Sequence, residues 1–451
     1  MKSLKALVLA GGKGTRLWPL SRERYSKQFL KLVDGKRLLE STYERVLNLV
    51  DPKDIISVTN RDYYLYVKHI CSRFSKNMEE NIICEPVGKN TTPSIAIACQ
   101  YVIERMNSDL DEVVFVFPSD HFITPVEEFI RYMSIGKRIA KDDYLVIFGI
   151  KPTRPETGYG YIKVGEKKGE YHVVDRFVEK PSFDMAKNYI REGVYLWNSG
   201  IFAFKISTFL EELKIYQPGI YKIISSGYEN ALENFHSMPS ISIDYGIMEK
   251  SNRVVVIPLF NIFWSDIGSW DALYEIREKD KDGNVIIGDV CPLYTKNSLI
   301  FSNSRLVATV GVEDIIVIET DDAVLITKRG NGQEIKDLIE RLKAQEREEI
   351  VNHTEIFEIW GKHKTIEDGD GYKVKRLLIE PGSFLESDSH RERMECWLVM
   401  RGIGELESQD KRYRLKEGES LVIPVCDIHR VKNLGDLPLE IIEIQIENSY
   451  N

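Results

Sequence analysis

The chain is short of cysteine. It holds six in 451 residues (Cys71, Cys84, Cys99, Cys291, Cys396, Cys426), with no CxxC pair and no framework spacing. That argues against a disulfide scaffold and for free thiols in a reducing compartment. No run approaches the roughly 18 apolar residues that would span a bilayer. The apolar start in MKSLKALVLAGG is too brief for a secretory leader. A cytoplasmic protein is the expectation. Excess positive charge is missing as well. The net charge of −9 argues against a general nucleic-acid or membrane-surface binder, yet it permits a local basic pocket for a small anion. Internal repeats and low-complexity tracts are absent. No Ser/His/Asp or Cys/His arrangement offers a covalent nucleophile.

What is present is an ordinary globular composition, 43% hydrophobic and 29% charged. The length suits two to four domains of roughly 100–200 residues. In the first half, short apolar runs (KALVLAG, IISVTN, EVVFVFPSD, YLVIFGI) alternate with longer amphipathic stretches such as LLESTYERVLNLV. That alternation predicts an α/β domain with a mostly parallel sheet covered on both faces. Ligands of such sheets sit beyond the carboxyl ends of the strands, where GGKGTR and PSDH both fall. From Asn284 to Lys328 the pattern changes to close-spaced strands (NVIIGDV, NSLIFSN, RLVATVG, DIIVIET, AVLITK), a small β-rich subdomain. A helix over NGQEIKDLIERLKAQEREE follows. The last hundred residues are again short strands between turns, which predicts an all-β barrel. The expected division is 1–283, 284–345 and 352–451, with a linker near 345–352.

The opening LVLAGGKGTRLWPLS carries Gly11, Gly12 and Gly14, a backbone bare enough for amides to close on an anion. GxxxxGK(S/T) and GxGxxG both fail there. Arg16 adds a planar charged fork suited to phosphate, and Lys27 a second cation. Taken singly, the glycines read equally as a tight turn, and each cation reads first as an ordinary surface charge. Asp120 ends a buried run and Asp266 lies among bulky apolar residues. Alone, each reads as a cap or turn residue. Two hard oxygen ligands beside a phosphate loop point instead to Mg²⁺ and to phosphoryl-type transfer at a nucleotide.

These residues resemble the signature of the sugar nucleotidyltransferases, in the mannose-1-phosphate guanylyltransferase branch. LAGGKGTRLWPLSRERYSKQFLKL, EPVGKNTTPSIAIA, VFPSDHFI, ETGYGYI, FVEKP, WNSGIF, SIDYGIMEKS and FWSDIGSWDAL follow the family's order up to about residue 345. Ser26 stands where the family has proline in PKQF, Gly88-Lys89-Asn90 replaces GRN, and SIDYGIMEK replaces SIDYAVMEK. The resemblance implies a Rossmann-like domain that transfers GMP from GTP to mannose 1-phosphate, giving GDP-mannose and pyrophosphate. It assigns Gly11, Gly12, Gly14, Arg16, Lys27, Asn90 and Asp120 to the nucleotide. It gives catalytic roles to Arg16, Lys27, Asp120 and Asp266, and Mg²⁺ to the two aspartates. Gly160, Glu179, Lys180 and Asn198 fall to the sugar phosphate. Another sugar 1-phosphate or base, or a non-catalytic nucleotide-sugar sensor, stands as the alternative. All the transfer motifs lie upstream of residue 348, so a truncation near 348 is expected to keep transfer.

The C-terminal segment carries cupin spacing. Gly382, Asp388, His390, Glu395 and Gly402 fit the first motif; Gly418, Pro424, Cys426, His429 and Asn433 fit the second. Asp388, His390, Glu395 and His429 are candidate ligands for Zn²⁺ or another divalent metal. The long guanylyltransferases carry such a barrel as a mannose-6-phosphate isomerase domain. Here DSHRERMECW stands in place of QMHHHRAEHW, so an active isomerase and a metal- or sugar-binding module both remain open. So does the choice between a single chain and a homo-oligomer.

Overall fold

The computed structural model describes residues 4–12, 14–33, 35–332, 334–358, 360–387, 393–408, 411–424 and 429–447. The first unit is built on a nine-stranded sheet. Its strands are β1 (Leu4–Leu9), β2 (Ile55–Asn60), β3 (Ile82–Glu85), β4 (Val113–Pro118), β6 (Leu145–Ile150), β7 (Gly160–Lys168), β8 (Tyr171–Glu179), β9 (Tyr195–Lys205) and β10 (Val254–Leu259). Two short strands outside it, β5 (Phe122–Thr124) and β11 (Phe263–Ser265), form an antiparallel ladder of their own. The spatial order is β3-β2-β1-β4-β9-β6-β10-β8-β7. β1 is parallel to β2 and β4, β2 to β3, and β10 to β6. The expected parallel sheet is interrupted by β9, which runs against both β4 and β6.

Side chains alternate across this sheet with the strand period of two. Leu7, Val114, Val116 and Ile147 pack under helices 91–104, 206–216 and 218–224. Ala6, Val8, Phe115, Phe117 and Phe148 pack under helices 38–46, 64–72 and 126–140. Each fully buried large apolar side chain of these layers is worth about 1.5–3 kcal/mol. Gly136 lets its helix approach the sheet closely, since a Cβ there would meet the Phe148 ring at 2.5 Å.

The β-rich segment is a stack of parallel turns. β12 (Val285–Ile287), β14 (Leu299–Ser302) and β16 (Ile315–Glu319) pair in parallel; β13 (Val290–Leu293) and β15 (Val307–Val310) do the same; β17 (Val324–Lys328) closes the stack against β16. Its inward residues Val285, Leu299, Phe301, Ile316 and Ile318 share one core with Ile335 and Ile339 of helix Glu334–Ala344. Leu17, Trp18 and Leu20 of the opening loop join the same core. The segment expected as a linker is folded back onto that loop. Trp18 Nε1 donates to the Glu349 carbonyl at 2.9 Å, and the Glu23 and Arg24 amides donate to Ile350 and Val351. The buried Arg22 guanidinium donates to the Glu349 carbonyl and pairs with Asp322 at 2.6 Å.

The C-terminal unit is the expected all-β barrel, two antiparallel sheets of six and four strands. Leu377, Ile379, Trp397, Val399, Leu406, Val431, Leu439 and Ile441 fill it. Among the described residues no helix is long and apolar enough to cross a membrane.

Candidate active site

Three turns at the carboxyl edge of the sheet build the site. The first follows β1. Gly11 and Gly12 lie in open space, with nothing within 4 Å of a Cβ added at either. Gly14 differs: its φ is +54° and an added Cβ would strike Lys27 Cβ at 2.6 Å. So two glycines leave amides bare for a ligand, while the third lets Lys27 approach. Thr59 Oγ1 and Gln28 Nε2 both donate to the Ala10 carbonyl, at 2.9 and 3.2 Å. Ser26, the departure from the family's proline, donates its hydroxyl to the Gly12 carbonyl and so ties the loop down. Arg16 has no hydrogen-bond or ion-pair partner among the described residues.

The second and third turns carry the aspartates. The β5–β11 ladder pairs Phe122 with Ser265. It therefore sets Asp120, two residues before one strand, beside Asp266, one residue after the other. Buried Lys27 closes the triangle: its Nζ reaches Asp120 Oδ2 at 2.5 Å and also donates to the Asp266 carbonyl. Burial would raise the Asp120 carboxyl, but the Lys27 ammonium, helped by His121, holds it below its usual range. Burial pushes the His121 imidazole down to about 4, so it is neutral near pH 7; its Nδ1 accepts from Trp264 Nε1 at 3.2 Å. That hydrogen bond makes His121 part of the packing under Asp120. Asp266 Oδ1 accepts from the Tyr159 hydroxyl at 2.5 Å and the Gly268 amide at 3.1 Å. Burial, then the Asp266 carboxylate, drives the Tyr159 phenol far above its ordinary value, so it remains a donor.

The sugar-phosphate candidates meet further along the same edge. Gly160 of β7 sits opposite Glu179 of β8, and a Cβ there would lie 2.5 Å from Glu179 Oε2. Lys180 Nζ pairs with Glu179 Oε1 at 3.1 Å. Asn198 Nδ2 donates to Asp244 Oδ1 at 2.8 Å. Burial raises the Glu179 carboxyl against the pull of Lys180, and burial followed by Glu179 pushes Asp244 up to about 7. Asn90 is exposed and caps helix 91–104, its side chain accepting from the Thr91 amide at 2.9 Å. Thr91 Oγ1 in turn accepts from the Ile243 amide, so Asn90 borders the Asp244 segment.

In the barrel, Glu395 and His429 converge from facing sheets with Oε2 and Nε2 3.3 Å apart, both buried. Trp397 Nε1 donates to Glu395 at 3.2 Å. Glu443, on the inward face of the last strand, is pushed up to about 7 by burial and then by Glu395. Asp388 and His390 lie outside the described residues.

The family described as Nucleotidyl transferase matches residues 5–283. MannoseP isomerase/GMP-like beta-helix domain matches 288–342, and Mannose-6-phosphate isomerase C-terminal matches 345–450. Mannose-1-phosphate guanylyltransferase 2 of Escherichia coli O157:H7 is 39% identical, over 97% of this chain and 94% of its own length. The xanthan biosynthesis protein XanB of Xanthomonas campestris pv. campestris (strain B100) is 40% identical, over 99% and 96%. A crystal structure named mannose-1-phosphate geranyltransferase, from Thermus thermophilus, matches with TM-score 0.69 at 34% identity, covering 76% of this chain and 100% of that one. The chain belongs to the mannose-1-phosphate guanylyltransferase family.

Divalent metals are typical of both domain types of this family. Among the described residues no group of three or more His, Cys, Asp or Glu is disposed to hold an ion. Asp120 and Asp266 supply two carboxylates and nothing more. That suits an ion which keeps waters and takes further oxygens from a phosphate, as Mg²⁺ does. Glu395 and His429 offer a carboxylate oxygen and an imidazole nitrogen, both of which zinc accepts. Within this guanylyltransferase domain the fold gathers Lys27, Asp120 and Asp266 at one end and Gly160, Glu179, Lys180 and Asn198 at the other. Sequence reading missed Tyr159 and Asp244. Both lie inside segments that carry the resemblance, ETGYGYI and SIDYGIMEKS, but no pattern there marks them as partners of Asp266 and Asn198.

Proposed function

We propose that the chain transfers GMP from GTP to α-D-mannose 1-phosphate. An oxygen of the sugar phosphate attacks the α-phosphorus. The bond to the β,γ-diphosphate breaks, and pyrophosphate leaves with the electron pair. One observation carries the reading: a single buried ammonium, Lys27, spans the turns that bear Asp120 and Asp266, beside a bare Gly11–Gly12 backbone. The amides of that backbone cradle the triphosphate, and Arg16, unpaired among the described residues, holds the leaving diphosphate. Mg²⁺ held by Asp120 and Asp266 would neutralise charge developing on the phosphates. Glu179 and Asn198 orient sugar hydroxyls over Gly160, and Lys180 offsets the sugar phosphate. Asn90 is read with the nucleotide, and guanine as the base, on kinship alone. No protein nucleophile is required, because the sugar phosphate brings its own. The free thiols Cys71, Cys84, Cys99, Cys291 and Cys396 support a cytoplasmic setting.

Pyrophosphate release from each of four nucleoside triphosphates, with a panel of sugar 1-phosphates and with or without Mg²⁺, tests the reading. Release only from GTP with mannose 1-phosphate and Mg²⁺ is the expected result. Release from no pair would overturn it in favour of a sensor, and release from another pair would change the substrates.

The Glu395–His429 contact favours a second reading for the barrel, a divalent-metal site with Zn²⁺ or a similar ion, completed by Asp388 and His390. Its chemistry would be the isomerisation of mannose 6-phosphate to fructose 6-phosphate. Product formation with added Zn²⁺ or Co²⁺ checks it. Its absence would leave a metal- or sugar-binding module.

A further inference from the structure

Asp266 presents its carboxylate in an unusual way. Both of its hydrogen bonds fall on one oxygen: the Tyr159 hydroxyl and the Gly268 amide both donate to Oδ1. Oδ2 has no hydrogen-bond or ion-pair partner among the described residues. A Cβ at Gly268 would stand 2.8 Å from that oxygen, so glycine keeps its surroundings clear. The next residue, Ile267, is buried with φ +45°, a left-handed conformation that a β-branched side chain rarely adopts. The turn is thus held in one shape, with one oxygen occupied and the other offered.

Tyr159 is fixed as firmly. Its ring meets Trp264 and Trp197 edge-on, each at 5.2 Å. It also belongs to the sugar-phosphate end. Its carbonyl accepts from the Lys180 amide at 3.2 Å, and Gly160, the next residue, packs against Glu179. Trp197, on which the ring rests, is followed by Asn198 in β9. One residue before Tyr159, Gly158 lies beside Arg16: a Cβ there would be 3.9 Å from an Arg16 Nη. The segment Glu156–Tyr161 therefore touches the residues assigned to diphosphate, cation and sugar phosphate.

We infer that Tyr159 is a positioning residue that couples the sugar-phosphate subsite to the cation site, by holding Asp266 Oδ1 so that Oδ2 faces the ion. The inference rests on the reading of Asp266 as a cation ligand and of Glu179–Lys180 as sugar-phosphate contacts. Partners that orient a ligating carboxylate are commonly worth about 10–100-fold in metal affinity. Coupling between two sites is reciprocal, so a sugar phosphate that steadies Tyr159 must tighten the ion, and the ion must tighten the sugar phosphate.

Mn²⁺ serves as the probe, followed by the loss of its free-ion paramagnetic resonance signal. The full chain is titrated with Mn²⁺ in the presence of α,β-methylene GTP, which cannot react, with and without mannose 1-phosphate. In the wild type, mannose 1-phosphate lowers the Mn²⁺ Kd. Tyr159→Phe, which keeps the ring contacts, raises that Kd about 10-fold or more and abolishes the response to mannose 1-phosphate. Gly268→Ala, which crowds Oδ2 and leaves Tyr159 intact, also weakens Mn²⁺ and guards against a folding defect in the first variant. Asp266→Asn separates the two layers of the claim. If Asp266→Asn leaves Mn²⁺ binding unchanged, the cation reading falls and the inference with it. If Asp266→Asn loses Mn²⁺ while Tyr159→Phe keeps both the affinity and the response, the inference alone is overturned.

Discussion

The ends proposed for the cation and for the sugar phosphate use the same side chain in opposite ways. At the cation end, Asp120 is answered by an ammonium 2.5 Å away and is held below its usual range. At the sugar end, Asp244 faces Glu179 and the amide of Asn198, and is pushed up to about 7. Carboxylates do not differ in themselves; their neighbours decide. A fixed negative charge suits an ion and its phosphates. A carboxyl pushed up by burial and a neighbouring acid can keep its proton nearer neutral pH, and so both donate to and accept from sugar hydroxyls, a choice that a fixed charge lacks.

The comparison breaks most directly at Asp120. Asp120→Asn is expected to cut turnover by about 100-fold or more, since cation catalysis is worth several kcal/mol, with little change in melting temperature. Near-normal pyrophosphate release would remove Asp120 from the site. Lys27→Met should come next. It strips the cation that holds Asp120 low, so the acid limb of kcat/KM moves to higher pH as activity falls. An unmoved limb would show that Lys27 does not set that charge. At the other end the effect is smaller and of another kind. Asn198→Ala is expected to raise the KM for mannose 1-phosphate by about 2–10-fold, as the loss of one hydrogen bond to a neutral sugar hydroxyl suggests, while the KM for GTP stays near the wild-type value. Equal rises for both substrates would blur the division of the cleft.

The smallest effect is on stability and concerns Asp244, faced by Glu179, Lys180 and Asn198. A carboxyl raised on folding binds its proton more tightly in the native state than in the unfolded chain. Its contribution is therefore full below about pH 4 and is lost as pH rises through about 7. Asp244→Asn removes that loss, so the melting temperature of the variant relative to wild type should be more favourable at pH 8 than at pH 5. A difference independent of pH would contradict the raised carboxyl.

Much of this is legible in the amino-acid sequence alone. The alternation of KALVLAG, IISVTN and EVVFVFPSD with amphipathic stretches marks strands and helices, because period two and period 3.6 are local properties. Arg16, Lys27, Asp120 and Asp266 are legible as chemistry, since each residue type stands out against an apolar or glycine-rich setting. The contact of Lys27 with Asp120 and Asp266 is not. It depends on the register of β5 with β11, which joins residues more than a hundred positions apart. Nor does any local pattern show β9 entering between β4 and β6 against their direction. Tyr159 and Asp244 stay hidden for the same reason: a tyrosine in a glycine-rich strand start and an acid in a helical turn become notable only beside their partners. The wall of the barrel is readable from alternation, yet the same alternation places Glu443 and Gln445 inside and Ile446 outside, the reverse of what hydrophobicity suggests.

The way the chain returns to its own beginning matters for anyone who wishes to divide it. The obvious scissor point, near residue 348, follows the last transfer motif but precedes the carbonyls of Glu349, Ile350 and Val351 that receive Trp18, Arg22, Glu23 and Arg24. A fragment cut there would leave the Trp18 indole without its acceptor and the buried Arg22 guanidinium with Asp322 alone, directly behind the glycine loop. A transplantable catalytic module must carry the chain through Val351, so the doorway of the first domain is framed by the threshold of the barrel.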